Sequence, residues 1–124
     1  MAKPRPLSPH LQIYRPQLTS VMSISHRATG AALASGTILL CLWLVALAAG
    51  DRWYGVVAMM IAHPIGQLVL FGYSVALIYH ALNGVRHLTW DRGIGLTIPA
   101  VYRSGWIVLL MTIGITVMLW TVWI

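Results

Sequence analysis

The sequence predicts an all-α integral membrane protein with three transmembrane helices, and three observations support this fold class. Of its 124 residues, 59% are hydrophobic and only 8% are charged, too few charges to cover a soluble domain. Three charge-free runs, 28–50, 53–85 and 104–124, each reach or exceed the ~20 residues that a helix needs to cross the hydrocarbon. In lipid the backbone must satisfy its own hydrogen bonds, which favours helices; barrel strands would be shorter and alternate.

The elements follow in order along one membrane-anchor domain, 1–124. Residues 1–19 contain four prolines and are predicted to form a cytoplasmic arm rather than a continuous helix. Helices are predicted over about 20–49, 64–90 and 104–124, with a turn around residues 50–55. Pro64 disfavours helical geometry at the preceding residue, so the second helix is predicted to begin there. The apolar stretch just before it is predicted to be a short interfacial segment.

The net charge of +6 reflects membrane topology rather than nucleic-acid binding, because the basic residues gather at the ends of the predicted helices. The positive-inside rule places the N-terminus in the cytoplasm and the C-terminus on the opposite side. We expect a multi-pass protein of a bacterial inner (cytoplasmic) membrane, in contact with lipid. On the predicted cytoplasmic side lie Lys3, Arg5, Arg15, Arg27, Arg86, Arg92 and Arg103, and on the other side lies Arg52.

Several common site types are excluded by composition. The only carboxylates are Asp51 and Asp91, which the topology places on opposite sides of the membrane, so no catalytic pair of carboxylates forms. Cys41 is the only cysteine, which excludes an intrachain disulfide and a cysteine-based metal site.

His80 is the most informative single residue. It lies within a charge-free run, on the order of 10 Å below the cytoplasmic interface at the rise of an α-helix. An ionisable side chain at that depth is a functional-site hypothesis by default. His80, Gly84 and His87 share one helical face, where the glycine leaves room for a flat macrocycle, and an imidazole can supply an axial nitrogen to haem iron. The alternative is that His80 only makes a hydrogen bond to a neighbouring helix.

The stretch "SISHRATG", residues 23–30, forms a second stripe of polar side chains. Ser23, His26, Arg27 and Gly30 lie on one face of the first helix. The Arg27 guanidinium suits a carboxylate such as a haem propionate, and a quinone carbonyl needs donors that Ser23 or Arg27 offer. The alternative is that Arg27 extends to lipid phosphate, which explains Ser23 and His26 poorly.

Three motifs together resemble a known family. "RPLSPHLQIY" (5–14), "SISHRATG" (23–30) and "HALNGVRHLTWD" (80–91) are similar to the cytochrome b membrane-anchor subunits of succinate dehydrogenase, respiratory complex II. The resemblance covers nearly the whole chain. It implies a second small membrane anchor subunit, an iron–sulfur subunit and a flavoprotein subunit as partners. It also implies haem b shared between the two anchors, ubiquinone as substrate, and no chemistry on succinate by this chain.

The resemblance also implies roles for individual residues. His80 falls on the family's axial haem ligand, with the second ligand supplied by the other anchor. Ser23 and Arg27 fall on the quinone site, and His26 and His87 fall near the haem propionates, where Arg27 would also serve. Gly84 and Asp91 are expected to support the site structurally. A non-redox membrane scaffold or transporter subunit, whose histidines make only interhelical hydrogen bonds, is the alternative.

Overall fold

Four helices make up the chain in a computed structural model that describes residues 14–123, with side chains up to Val122. They are α1 (Leu18–Ala48), α2 (Asp51–Ala62), α3 (Pro64–Asp91) and α4 (Ile98–Trp123). No strand occurs among the described residues. Helices α1, α3 and α4 are each long and apolar enough to cross a membrane, whereas α2 is not. The prediction of an all-α fold with three candidate spans is confirmed.

Two helix boundaries differ from those predicted. The Pro-rich arm lies mostly outside the described residues, and its last two positions already belong to α1. Helix α4 begins at Ile98, well before position 104, and therefore includes Arg103. Pro99 lies in the first turn of α4, where its missing N–H would have no helical partner, so it does not delay the helix.

The segment between the first two spans is helical, which the sequence analysis did not predict. The chain reverses at Gly50, whose φ of 96° favours glycine, and α2 starts at the next residue. The predicted turn over 50–55 is therefore wrong beyond Gly50. His63, in extended geometry, separates α2 from α3, and its Nδ1 accepts a hydrogen bond from the Ile65 backbone N–H at 3.2 Å. His63 thus has a structural role as the N-cap of α3.

Helix α3 lies between α1 and α4, and α1 also touches α4. A small buried cluster joins the three helices at the end of the bundle where α1 begins. It consists of Met22, Tyr79 and Val108, with Leu18, Leu82 and Leu109 packed around it. Only 6%, 11% and 22% of the residues in the most apolar windows of the three spans are buried, so most residues of the spans keep some exposed surface.

The other end of the bundle is joined by polar contacts of aromatic side chains. The Tyr73 hydroxyl of α3 lies 3.0 Å from the Ser35 hydroxyl of α1. The Trp120 indole of α4 donates to the Ser74 hydroxyl at 2.9 Å and meets the Phe71 ring edge-on. These contacts hold the N-terminal half of α3 to its neighbours, and the candidate site lies beside the buried cluster in its C-terminal half.

Candidate functional site

His80 is held against α1 by hydrogen bonds at one of its two ring nitrogens. Its Nδ1 lies 3.1 Å from the backbone carbonyl oxygen of His26 and 3.2 Å from the Thr29 hydroxyl. A carbonyl only accepts hydrogen bonds, so Nδ1 bears the hydrogen and Nε2 has the free lone pair. No hydrogen bond engages that Nε2 within residues 14–123. A metal-binding histidine is typically oriented in this way, with its other nitrogen donating to a backbone carbonyl.

The three histidines of the two motifs come together in space. The His26 ring stacks on the His80 ring, with centroids 3.9 Å apart and planes 14° from parallel. The His87 ring lies 5.2 Å from that of His26, and Trp90 meets His87 edge-on. The Nδ1 of His26 is enclosed and has no hydrogen-bond partner in the described part of the chain. An outside ligand would therefore meet His26 at Nε2.

Two glycines near His80 have different surroundings. A Cβ added at Gly30 would lie 3.0 Å from His80 Cε1, so the absence of a side chain there lets the imidazole approach α1. A Cβ added at Gly84 would meet no atom of the described chain within 4 Å. The sequence predicts space for a flat group at Gly84. The helix face at Gly84 is open in the structure, whereas Gly30 is the glycine that accommodates the His80 ring.

Ser23 and Arg27 lie four residues apart on α1, and both are exposed. Neither side chain makes a hydrogen bond within residues 14–123, so both are available to a molecule from outside. Asp91 is also exposed, at the last residue of α3. The structure thus brings His26, His80 and His87 into contact, but it shows no contact that joins Ser23, Arg27 or Asp91 to them.

Arg86 is buried, although it was counted among the basic residues at helix ends that indicate the membrane topology. Its side chain is 5% exposed and lies within α3. Its Nε donates to the Ser104 hydroxyl at 2.8 Å and an Nη donates to the Val101 carbonyl at 2.9 Å, both on α4. The guanidinium also lies 4.0 Å from the centroid of the Trp90 ring. Arg86 therefore joins α3 to α4, and it shares the neighbour Trp90 with His87.

Asn83 and Tyr79 complete this buried region, and the sequence analysis singled out neither. The Asn83 side chain is fully buried and accepts a bond of 3.3 Å from Arg86, while its Nδ2 has no partner among the described residues. The Tyr79 hydroxyl donates to the Met22 carbonyl of α1 at 2.8 Å. Tyr79 and His80 are consecutive residues that both bond to α1, one helical turn apart, which restrains how α3 can slide along α1. The available indication in the sequence was Asn83, a polar residue three positions after His80 near the end of the same charge-free run.

A metal ion at His80 would need a ligand from outside the described chain. No group of three or more His, Cys, Asp or Glu side chains within the described residues is arranged to hold a metal. Within the described residues, His80 is the histidine of the cluster whose Nε2 is oriented by hydrogen bonds at its other ring nitrogen, which fits a metal that takes its remaining ligands from a cofactor and another chain.

Comparison with known proteins identifies the family. The family model for the succinate dehydrogenase/fumarate reductase transmembrane subunit matches residues 1–119. The chain belongs to this family. It is 44% identical over 116 residues to a succinate dehydrogenase cytochrome b556 subunit of Rickettsia typhi, covering 94% of this chain and 90% of the relative. It is 42% identical over 100 residues to the cytochrome b556 subunit of Paracoccus denitrificans, covering 81% and 77% of the two chains.

The family extends to mitochondria. The succinate dehydrogenase cytochrome b560 subunit of Sus scrofa is 42% identical over 113 residues, covering 88% of this chain and 66% of the relative. The resemblance stated from the three sequence motifs is thereby confirmed. In this transmembrane-subunit family, the three candidate spans of the present chain are the expected membrane-embedded part.

Proposed function

We propose that this chain holds a b-type haem together with a second small membrane anchor subunit, and that His80 supplies one axial ligand. The proposal rests on one observation above the others: His80 Nδ1 is engaged by α1, which leaves Nε2 unengaged. The open face at Gly84 fits a flat group beside it. A haem bound there would supply one-electron redox chemistry.

The residues of α1 have a second role in this proposal. Ser23 and Arg27 are exposed donors on α1 whose side chains are not engaged within the described chain, and they would bind the carbonyl groups of ubiquinone. Arg27, His26 Nε2 and His87 would face the haem propionates, with Asp91 supporting that end of α3. Arginine suits a carboxylate because it donates two parallel hydrogen bonds.

The proposal includes partners and an orientation. The chain would dock the iron–sulfur and flavoprotein subunits of succinate:quinone oxidoreductase on its cytoplasmic side, in a bacterial inner membrane. Arg27, Arg92 and Arg103 lie towards the end of the bundle where α1 begins, and Arg52 lies at the other end. This distribution supports an N-terminus in the cytoplasm by the positive-inside rule.

The haem assignment is tested with His80→Ala, compared with His63→Ala, which removes a histidine from the other end of α3. Reduced-minus-oxidised optical spectra of the membrane-bound complex are recorded for both variants. Succinate oxidation by an artificial electron acceptor, measured on washed membranes, reports whether the soluble subunits are still docked. We expect the b-type α-band to change or disappear in His80→Ala alone. An unchanged band in an assembled His80→Ala complex would refute the ligand role.

The non-redox alternative receives support from one contact, because His80 does make the interhelical hydrogen bond that it requires. That bond uses only Nδ1, and the alternative gives Nε2 no role. It predicts that His80→Ala and His63→Ala have the same spectrum, whereas haem ligation predicts different ones.

The quinone site is tested with Arg27→Gln, and Arg52→Gln is the matched control at the opposite end of the bundle. We expect Arg27→Gln to slow succinate-to-quinone electron transfer at least tenfold while succinate oxidation by the artificial acceptor is unchanged, since a charged hydrogen bond contributes about 1.5–3 kcal/mol. Equal quinone reduction by the two variants would contradict the assignment.

A further inference from the structure

Thr29 contacts His80 in a way that the proposed function does not use. The Thr29 hydroxyl lies 2.8 Å from the Ser25 carbonyl and 3.0 Å from the His26 carbonyl of its own helix, so its hydrogen is directed at the α1 backbone. A hydroxyl has one hydrogen and two acceptor lone pairs. Its oxygen is therefore the acceptor in the 3.2 Å contact with His80 Nδ1.

The Nδ1 hydrogen of His80 accordingly has two acceptors on α1. One is the His26 carbonyl at 3.1 Å and the other is the Thr29 hydroxyl at 3.2 Å. Both lie within the short stretch of α1 that also stacks the His26 ring on His80. Hydrogen bonds to the distal nitrogen of a ligating histidine raise the basicity of the ligating nitrogen. Greater basicity stabilises the oxidised form of a bound iron and lowers its midpoint potential.

We infer that Thr29 is a positioning residue for the haem ligand: its hydroxyl is the second acceptor for the His80 Nδ1 hydrogen and helps to set the potential of the haem. This inference rests on the proposed haem-ligand role of His80. It distinguishes Thr29 from Thr37, Thr89, Thr112 and Thr121, whose hydroxyls bond only to their own helix, as threonines in helices commonly do. Thr37 is such a residue, since its hydroxyl donates to the Ala34 carbonyl at 2.7 Å and the side chain is exposed.

The test uses the complete complex in its membrane and four variants of this chain. Thr29→Val keeps the branched shape without the hydroxyl, and Thr29→Ala removes the hydroxyl with less bulk. Thr29→Ser restores the hydroxyl, and Thr37→Val removes a hydroxyl that has no contact with His80. The midpoint potential of the b-type haem is measured by optical redox titration, and assembly is measured by succinate oxidation with an artificial acceptor.

We expect the midpoint potential to shift to more positive values in Thr29→Val and Thr29→Ala, and to stay near the wild-type value in Thr29→Ser and Thr37→Val. Loss of haem from assembled complexes, confined to the two hydroxyl-free Thr29 variants, also supports the inference. Equal potentials in all four variants overturn it. A shift that follows side-chain volume, with Thr29→Ser resembling Thr29→Ala, overturns it as well.

Failure of this inference can be told apart from failure of the proposed function. If His80→Ala leaves the b-type spectrum unchanged, the haem-ligand role fails, and the role of Thr29 fails with it. If His80→Ala alters the spectrum but Thr29→Val titrates like Thr37→Val, only the role of Thr29 is wrong.

Discussion

Replacing Arg86 by methionine tests whether the buried guanidinium stabilises the contact between α3 and α4. Methionine keeps an unbranched apolar chain of similar reach and removes the donors. Two short hydrogen bonds to α4 are lost, those to Ser104 at 2.8 Å and to the Val101 carbonyl at 2.9 Å. Hydrogen bonds to a charged group contribute about 1.5–3 kcal/mol each, so their loss removes roughly 3–6 kcal/mol.

Two further effects modify that loss. Burying a guanidinium is costly, and its removal returns part of the free energy. In the opposite direction, the fully buried Asn83 loses the bond that its Oδ1 accepts, and its Nδ2 already has no partner in the described chain. Ser104 is not left unsatisfied, because its hydroxyl donates to the Val101 carbonyl at 3.0 Å. We expect a net destabilisation of about 2–4 kcal/mol.

The assay is the release of this subunit from the purified complex as the fraction of SDS in mixed micelles increases. Arg103→Met, which removes an exposed arginine from α4, should change stability by no more than ~0.5 kcal/mol. A double-mutant cycle with Ser104→Ala should give a coupling of about 1–2 kcal/mol with Arg86. If Arg86→Met is no less stable than Arg103→Met, or the coupling is zero, the reasoning about this contact is wrong.

Two glycine substitutions make further predictions. Gly30→Ala should shift the haem spectrum, because its Cβ would lie 3.0 Å from His80 Cε1 and must displace the imidazole by a few tenths of an ångström. Gly72→Ala is the control, because its Cβ would meet no atom within 4 Å and should leave the spectrum unchanged. Identical spectra for the two variants would contradict the close approach of His80 to Gly30. Gly66→Ala should lower the yield of assembled subunit in membranes, because its Cβ would overlap the Met60 carbonyl of α2 at a cost of more than ~3 kcal/mol. Gly55→Ala, whose Cβ would lie in open space, should assemble normally. Equal yields of the two variants would count against the packing of α2 on α3.

The three spans could be predicted because each depends only on local sequence. A charge-free run of sufficient length needs a helix whatever lies beside it. The start of α4 was missed because Pro99 and the preceding glycines are typical of a loop. A proline in the first turn is nevertheless compatible with a helix, and only the hydrogen bond of 2.9 Å from the Val101 N–H to the Thr97 carbonyl shows that the helix has begun.

His80 was singled out from sequence because an ionisable side chain inside a charge-free run is rare, and His26 and His87 were singled out because each shares a helical face with other candidate residues. The contacts that orient them were missed because they depend on the register of α1 against α3. Nothing local distinguishes Thr29, which touches His80, from Thr37, which does not. The same limit explains Arg86: a basic residue at the end of an apolar run indicates topology, and its burial depends on the tertiary neighbour Ser104.

The length of α1 has a consequence for access to the site. It contains 31 residues, and at about 1.5 Å per residue it is roughly 46 Å long, against a hydrocarbon core of ~30 Å. If Ala48 lies at one boundary of the hydrocarbon and the helix follows the membrane normal, the other boundary lies about 20 residues earlier, near Ala28. The helical turn that contains His26 and Arg27 then lies at the interface between the hydrocarbon core and the polar headgroups. A molecule dissolved in the bilayer can approach it sideways while a soluble protein approaches from above, and neither has to cross the membrane to meet the other.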